Sequence, residues 1–162
     1  MTSYERVLWR QSSHISSVLH LGKTKPMTTL SAGSCLCGSV RFEISGAFES
    51  FFLCHCSRCR KGSGSAHAAN LFSTTAQVTW LSGENKIRTY RVLSTRHERS
   101  FCSSCGSVVP GVQMQGKLLV VPAGSLEGDI SIQPNAHINC ASRALWDTNL
   151  EDAPKIDGLP GS

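Results

Sequence analysis

Short stretches in which apolar and polar residues alternate run through the chain from about residue 33 onwards. The clearest is 39–45, where Val40, Phe42 and Ile44 alternate with polar residues, as is typical of a half-buried β-strand. Further strands are expected at 67–72, 77–81, 87–92, 98–101, 117–121, 130–132 and 136–138. Turn residues separate these stretches, and no long segment after residue 30 has the period of a helix. The pattern predicts a mainly β fold built from small antiparallel sheets.

The N-terminal segment differs in composition from the rest of the 162-residue chain. It is basic and serine-rich, and it lacks the apolar core of a secretory signal. We expect residues 1–32 to form an irregular N-terminal extension. Residues 1–26 would be either dispensable or read from a start codon upstream of Met27, with targeting as the alternative. Residues 33–162 are expected to form one domain, which is long enough to have its own core.

Eight cysteines without a secretory signal indicate a reducing compartment and a metal protein, and we therefore expect a cytoplasmic location. No apolar run approaches the roughly 20 residues that a membrane helix needs, so no membrane partner is expected. The formal charge of +5 raises the possibility of a nucleic-acid partner. Thiolates binding metal ions would bring that charge close to neutral, and basic residues do not interleave with aromatic ones, which argues against nucleic acid.

Two close cysteine pairs lie far apart in the sequence, and each is followed by glycine. They are Cys35-Leu36-Cys37-Gly38 and Cys102-Ser103-Ser104-Cys105-Gly106. Each pair can supply two thiolates from a tight turn, and together they supply the four ligands of a tetrahedral zinc. We therefore predict a structural zinc site at Cys35, Cys37, Cys102 and Cys105, which joins an early strand to a late one and contributes to folding.

A third group, Cys54, Cys56 and Cys59, supplies only three thiolates. If the fourth position of a zinc ion there is left to water or to a substrate thiol, the site is catalytic. If a protein side chain fills it, the site is merely structural, and the candidates are His55, His67, His97, His137 and Cys140. An iron–sulfur cluster suits the ligand type, but the cysteine spacing favours zinc.

The surroundings of these three cysteines suggest what the site would bind. Soft thiolate ligands favour an incoming thiol over water, and zinc would lower the pKa of that thiol. Arg58 lies between two of the cysteines, Arg60 and Lys61 follow the third, and these cations could meet the carboxylates of an anionic thiol. Ser63 and Gly64 belong to a Gly-Ser loop that offers backbone N–H groups to a ligand. A solvated surface and a flexible turn are the alternatives for these residues.

These residues, in order, resemble a known family. Cys35-x-Cys37-Gly38, then Cys54-His55-Cys56-Ser57-x-Cys59-Arg60-Lys61, then Phe101-Cys102-x-x-Cys105-Gly106 resembles the glutathione-dependent formaldehyde-activating enzyme and centromere protein V family. The tail adds His137-Ile138, Trp146 and 157–160, and the likeness spans roughly residues 33–160. The resemblance implies a β-tent fold around a structural zinc, with two zinc ions per chain. The four-cysteine set would hold the structural zinc, and Cys54, Cys56 and Cys59 the catalytic one.

The same resemblance implies an activity. It is the joining of glutathione to formaldehyde to give S-(hydroxymethyl)glutathione, a reaction classed with carbon–sulfur lyases. We expect the substrates to be glutathione or a similar thiol and formaldehyde or another small aldehyde, with Arg60, Lys61, Ser63 and Gly64 as candidate substrate contacts. The alternative is a non-catalytic, zinc-stabilised binding module, because fold and metal site do not fix a substrate.

Overall fold

The computed structural model of the protein describes residues 29–160. The expected extension therefore lies almost entirely outside the described residues, and the division of the chain at residue 32 remains a prediction. The first strand starts at Leu30, so the described end of that segment, residues 30–32, already belongs to a sheet. Within the described part, no helix is long and apolar enough to span a lipid bilayer.

Within residues 29–160 the chain forms eleven strands and one α-helix, which confirms the predicted mainly β class. The strands are β1 Leu30–Ser34, β2 Arg41–Ser45, β3 Ser50–Cys54, β4 Ala68–Ser73, β5 Gln77–Ser82, β6 Ile87–Arg91, β7 Glu98–Cys102, β8 Val108–Val109, β9 Gly111–Gln113, β10 Leu118–Pro122 and β11 Ala136–Ile138. The helix is α1, Ser57–Ser63. Short 3-10 turns occupy Glu84–Lys86, Ala123–Ser125, Cys140–Ser142, Leu145–Asp147 and Leu150–Asp152.

The strands assemble into three small sheets with the orders β1-β2-β5, β11-β3-β4-β10-β9 and β6-β7-β8. Neighbouring strands are antiparallel, except that β11 runs parallel to β3. This parallel pair sets Ile138 opposite Cys54, and the backbone N–H of His55 continues the ladder to the carbonyl of Ile138 at 2.9 Å. The C-terminal part of the chain is thereby attached to the strand that leads into the three-cysteine segment.

The main core lies between the first two sheets. Phe42 and Ile44 of β2 are fully buried, and they pack with Phe51, Leu71 and Val121 from the larger sheet. Phe42 also meets the ring of Trp80 edge-on, with the ring centroids 5.7 Å apart. The alternation read in 39–45 therefore marks the inward face of β2, as the sequence predicted.

A second, smaller core cluster surrounds the four-cysteine site. It contains the buried residues Cys35, Val40, Cys102 and Val109. Two of its four members are predicted metal ligands, so the thiols are part of this core. Binding a metal there would join the ends of β1 and β7 within a cluster that offers little apolar surface of its own.

The strand predicted at 130–132 is wrong. Ile130 and Ile132 are half-buried and pack on the main core, but their backbone is irregular. Gly128 just before them has φ of 77°, and Pro134 follows them, so the local backbone chemistry favours a loop. An alternation of apolar and polar residues reports which side chains are buried, and a loop can bury them as well as a strand can.

Candidate active site and metal centres

The four predicted structural ligands come together. Cys35 follows β1, Cys102 ends β7, and the Sγ atoms of Cys35, Cys37, Cys102 and Cys105 all lie within 4.8 Å of one another. The sulfurs of Cys35 and Cys37 are 3.5 Å apart. Four thiolates at about 2.3 Å from a tetrahedral zinc would be spaced by about 3.8 Å. The donor set and its spacing therefore fit zinc.

Polar groups around this cluster favour the thiolate form of two of its members. The Ser107 side chain and backbone N–H lower the pKa of Cys105 to about 6, and the Ser39 hydroxyl lowers the pKa of Cys37. Burial raises the pKa of Cys35, although the N–H of Val40 donates to its sulfur at 3.3 Å. Because a thiol must lose its proton to bind metal, the donors at Ser39 and Ser107 prepare the cluster for a cation.

The second cluster contains Cys54, Cys56 and Cys59, whose sulfurs also lie within 4.8 Å of one another. Cys54 ends β3, Cys56 is the N-cap of α1, and Cys59 lies in the first turns of that helix. The cap is made by sulfur, since the N–H of Cys59 donates to the Cys56 Sγ at 3.4 Å. The helix turn thus brings the second and third cysteines together, while the strand delivers the first.

The charge state of this cluster is set by burial and by nearby donors. Burial raises the pKa of Cys59, and the neighbouring Cys54 and Cys56 raise it further. Burial raises the pKa of Cys56, but hydrogen bonds from the Cys59 N–H, the Cys59 and Cys54 thiols and the Arg58 N–H together outweigh burial, so the pKa of Cys56 is lowered. Asn139 donates from Nδ2 to the Cys54 Sγ at 3.3 Å. A thiolate on one of three adjacent cysteines disfavours ionisation of the others, and a bound cation such as zinc removes that cost.

Among the described residues, no fourth His, Cys, Asp or Glu joins the three sulfurs in such a group. Cys140 is exposed and belongs to neither cluster. His55, His67 and His137 stack near one another, with ring centroids 5.0 to 6.0 Å apart. His97 lies in the wall of the adjoining cavity. The described part of the chain therefore offers this cluster three protein ligands.

A cavity of about 360 Å³ adjoins the three-cysteine cluster, and Cys54 and Cys59 form part of its wall. Apolar side chains such as Phe72 and Val109 line much of the remainder. The four-cysteine cluster does not contribute to this wall. A molecule in the cavity would thus reach the sulfurs of one cluster only, in a largely apolar setting where electrostatic interactions are strong.

The residues predicted to contact a substrate are divided by the structure. Ser63 lines the cavity, and its hydroxyl donates to the carbonyls of Cys59 and His67 at 3.0 and 3.1 Å. Arg60 and Lys61 are absent from the cavity wall, and the Nε of Arg60 donates to the His55 carbonyl at 3.3 Å. Gly64, with φ of 67°, ends the helix outside the wall. The cations that do line the cavity are Arg96 and Arg99.

A polar chain behind the cluster was not predicted from the sequence. Its members are the buried residues His55 and Asp147, which are 1% and 4% exposed, and the exposed residue His137. The Nδ1 of His55 lies 2.6 Å from Asp147 Oδ2, and its Nε2 lies 2.8 Å from Nδ1 of His137. Both ring nitrogens of His55 are therefore within hydrogen-bond distance of a partner. These contacts connect the residue between Cys54 and Cys56 to the C-terminal segment.

The spacing of residues in the sequence did not indicate this polar chain, because His55 is 82 positions from His137 and 92 positions from Asp147. Asp147 follows Trp146, one of the tail residues that carry the family resemblance. Only the parallel pairing of β11 with β3 brings His137 beside His55. The sequence did not indicate Arg96 and Arg99 for a similar reason, since they lie just before Cys102 and about 40 residues after the three-cysteine cluster.

The fold and the two clusters define a mainly β protein with two thiol sites suited to metal ions. The family model described as glutathione-dependent formaldehyde-activating enzyme matches residues 30–142. The chain therefore belongs to the glutathione-dependent formaldehyde-activating enzyme family, as the resemblance indicated.

Two individual proteins illustrate this membership. A protein of Halomonas elongata named "Putative glutathione-dependent formaldehyde-activating enzyme" is 31% identical over 121 residues, which cover 70% of this chain and 77% of that protein. A crystal structure of a Rhodobacter sphaeroides protein matches with a TM-score of 0.52 at 20% identity, covering 65% of this chain and 98% of that one. The second likeness supports the fold alone.

Proposed function

We propose that this chain is a zinc-dependent enzyme of the carbon–sulfur lyase type that joins glutathione, or a similar thiol, to formaldehyde or another small aldehyde. With formaldehyde and glutathione the product is S-(hydroxymethyl)glutathione. The observation that carries the proposal is the position of Cys54 and Cys59 in the wall of a cavity, within the group of three thiols. Family membership supports the same reaction.

The two clusters would have different tasks. Cys35, Cys37, Cys102 and Cys105 supply four ligands beside a small core, as expected of a site that holds a structural zinc. Cys54, Cys56 and Cys59 supply three ligands beside a cavity, as expected of a site that holds a catalytic zinc. We therefore propose two zinc ions per chain and assign the chemistry to the second site.

A zinc ion bound by three thiolates would supply a Lewis-acidic centre that lowers the pKa of a thiol entering the cavity. The chain's own residues contribute position and environment. The apolar wall excludes water, which would compete with the thiol, and the confined space holds the two reactants close together. In the addition, the thiol sulfur forms a bond to the carbonyl carbon, the C=O π bond breaks, and the carbonyl oxygen gains the proton that the thiol loses.

The test is the rate of S-(hydroxymethyl)glutathione formation by the zinc-loaded chain, measured above the spontaneous rate. Cys56→Ser is the informative variant, because a serine oxygen preserves the N-cap of α1 while the thiolate is lost. We expect it to keep the fold and to lose both one zinc ion and the catalysed rate. Cys140→Ser is the matched control, since Cys140 is exposed and outside both clusters, and it should retain the wild-type rate.

The same assay distinguishes the enzyme from a non-catalytic binding module. A module would bind two zinc ions, but neither the wild type nor Cys56→Ser would form product above the spontaneous rate. A catalysed rate that persists in Cys56→Ser would remove the chemistry from the three-cysteine cluster. Unlike Cys56→Ser and Cys140→Ser, Cys102→Ser should unfold the domain, because Cys102 is fully buried in a core cluster.

A further inference from the structure

We propose that Arg99 binds a carboxylate of the thiol substrate and makes the cavity selective for anionic thiols. This inference rests on the proposed function, and it moves the carboxylate contact away from Arg60 and Lys61. The substrate class is then a thiol that carries at least one carboxylate within reach of its sulfur.

Arg99 has a suitable position. It lies in β7 and lines the cavity whose wall includes Cys54 and Cys59, and it also lines a neighbouring cavity that extends towards Cys35. Its side chain runs along the last turn of α1. A β-carbon added to Gly62 would lie 3.6 Å from the Arg99 Cδ and 4.0 Å from Nη1. A ligand in the cavity can therefore face the thiol cluster and the guanidinium at the same time.

The guanidinium has hydrogen-bond donors to spare. Nη2 donates to the carbonyl of Gly106 at 3.2 Å. Nε is buried, and among the described residues it has no acceptor. A buried donor without a partner is unfavourable, and the planar fork of an arginine matches the two oxygens of a carboxylate. A bound carboxylate would accept from the guanidinium N–H groups other than the buried Nε and the one bonded to Gly106.

The charge around the cavity has the sign that a carboxylate needs. Arg96 also lines the wall. The pKa of His97 is lowered, first by burial and then by the positive charges of Arg58 and Arg99. The acidic residue Glu98 lines the cavity as well, but Arg91 binds it through two hydrogen bonds of 2.7 and 3.0 Å. The uncompensated charge at the cavity is therefore positive.

Arg99 also has contacts that would suit a purely structural role. Its bond to Gly106 reaches the loop next to Cys105, and its guanidinium lies 5.7 Å from the centre of the Phe101 ring. If the role of Arg99 is structural, its replacement should weaken the binding of every ligand alike. If Arg99 binds a carboxylate, its replacement should weaken the binding only of ligands that carry a carboxylate.

The experiment measures dissociation constants by calorimetry on the zinc-loaded full chain, with glutathione and with its diethyl ester, whose carboxylates are blocked. In Arg99→Gln we expect glutathione to bind about tenfold more weakly or worse, because a charge-assisted bond is lost, while the ester binds as it does to the wild type. Arg99→Lys keeps a positive charge without the planar fork, so its affinity for glutathione should lie between those of the wild type and Arg99→Gln. Arg88→Gln is the matched control, since Arg88 is exposed on the paired strand β6 and outside both cavities.

Equal weakening of glutathione and ester in Arg99→Gln, or no weakening of either, would overturn the inference. If Arg99→Gln does not fold, Arg99→Lys carries the same comparison of glutathione with ester. Binding does not require turnover, so the proposed function is judged separately by product formation. Arg99-dependent binding without catalysed product would overturn the reaction alone, whereas catalysed product with unchanged binding in Arg99→Gln would overturn the present inference alone.

Discussion

Replacing Asp147 tests whether the C-terminal segment supports the three-cysteine cluster. Asp147 is 4% exposed, and its Oδ2 lies 2.6 Å from the Nδ1 of His55 and 3.5 Å from the Nε of Arg143. His55 lies between two of the predicted zinc ligands in the sequence. The change Asp147→Ala would leave the His55 Nδ1 buried without its partner and would remove the carboxylate that forms an ion pair with Arg143.

The expected cost follows from these contacts. A buried hydrogen bond to a charged group contributes about 1.5–3 kcal/mol, and the short distance to His55 places this one towards the upper end. We therefore expect Asp147→Ala to lower the free energy of unfolding by about 2–3 kcal/mol. That is a large share of the roughly 5–15 kcal/mol by which a typical domain is stable. Asp147→Asn keeps an acceptor oxygen and should lose less.

Urea unfolding of the zinc-loaded protein at neutral pH measures the change, followed by circular dichroism. Asp152→Ala is the control, because it removes an exposed carboxylate from the same tail, and it should alter stability by no more than about 0.5 kcal/mol. A second readout is zinc retention against a chelator. Since groups that orient a metal site typically affect metal affinity by about 10–100-fold, Asp147→Ala should lose the more labile zinc about tenfold more readily.

If Asp147→Ala unfolds at the same urea concentration as the wild type, the contacts of Asp147 do not stabilise the fold, contrary to the prediction. A fall in stability without a change in zinc retention would contradict the second part of the prediction. In that case the polar chain would stabilise the fold without acting on the cysteine cluster.

Three further changes test the packing and the cavity. Gly33→Ala should destabilise the domain by about 1–3 kcal/mol in thermal unfolding, because the added methyl would overlap the buried Phe42 ring and lie 2.5 Å from the Ser125 carbonyl oxygen. Gly124→Ala is the control and should be tolerated, because its added methyl meets nothing within 4 Å. Ala68→Leu adds bulk to the cavity wall and should raise the KM for the thiol while the zinc content stays at the wild-type value. Asn139→Asp replaces the amide that donates to the Cys54 sulfur with a carboxylate, so chelators should remove zinc faster than from the wild type.

The strands with a clear buried face could be predicted from the sequence. Val40, Phe42 and Ile44 alternate with polar residues, and the structure buries all three. The cysteine clusters were also predictable, because paired thiols on tight turns are strongly specific for metal binding. Both signals are local: they depend on residues that are neighbours in the chain.

The rest depended on contacts between distant parts of the chain. Nothing near Asp147 in the sequence indicates a partner at His55, and nothing near Arg99 indicates a place in the wall of a cavity that begins at Cys54. Conversely, Lys61 is only two residues from Cys59, yet α1 leaves it exposed and outside the cavity wall. Proximity in sequence therefore did not indicate which cations line the cavity.

The assignment of a structural and a catalytic zinc is tested most directly by a chelator titration in which zinc content, circular dichroism and S-(hydroxymethyl)glutathione formation are followed on the same sample. We expect two zinc ions per chain, with the catalysed rate falling to the spontaneous rate as the first ion leaves, while the β-sheet signal persists until the second ion is lost. A catalysed rate that survives at one zinc per chain, or a fold that is lost with the first ion, would contradict this assignment.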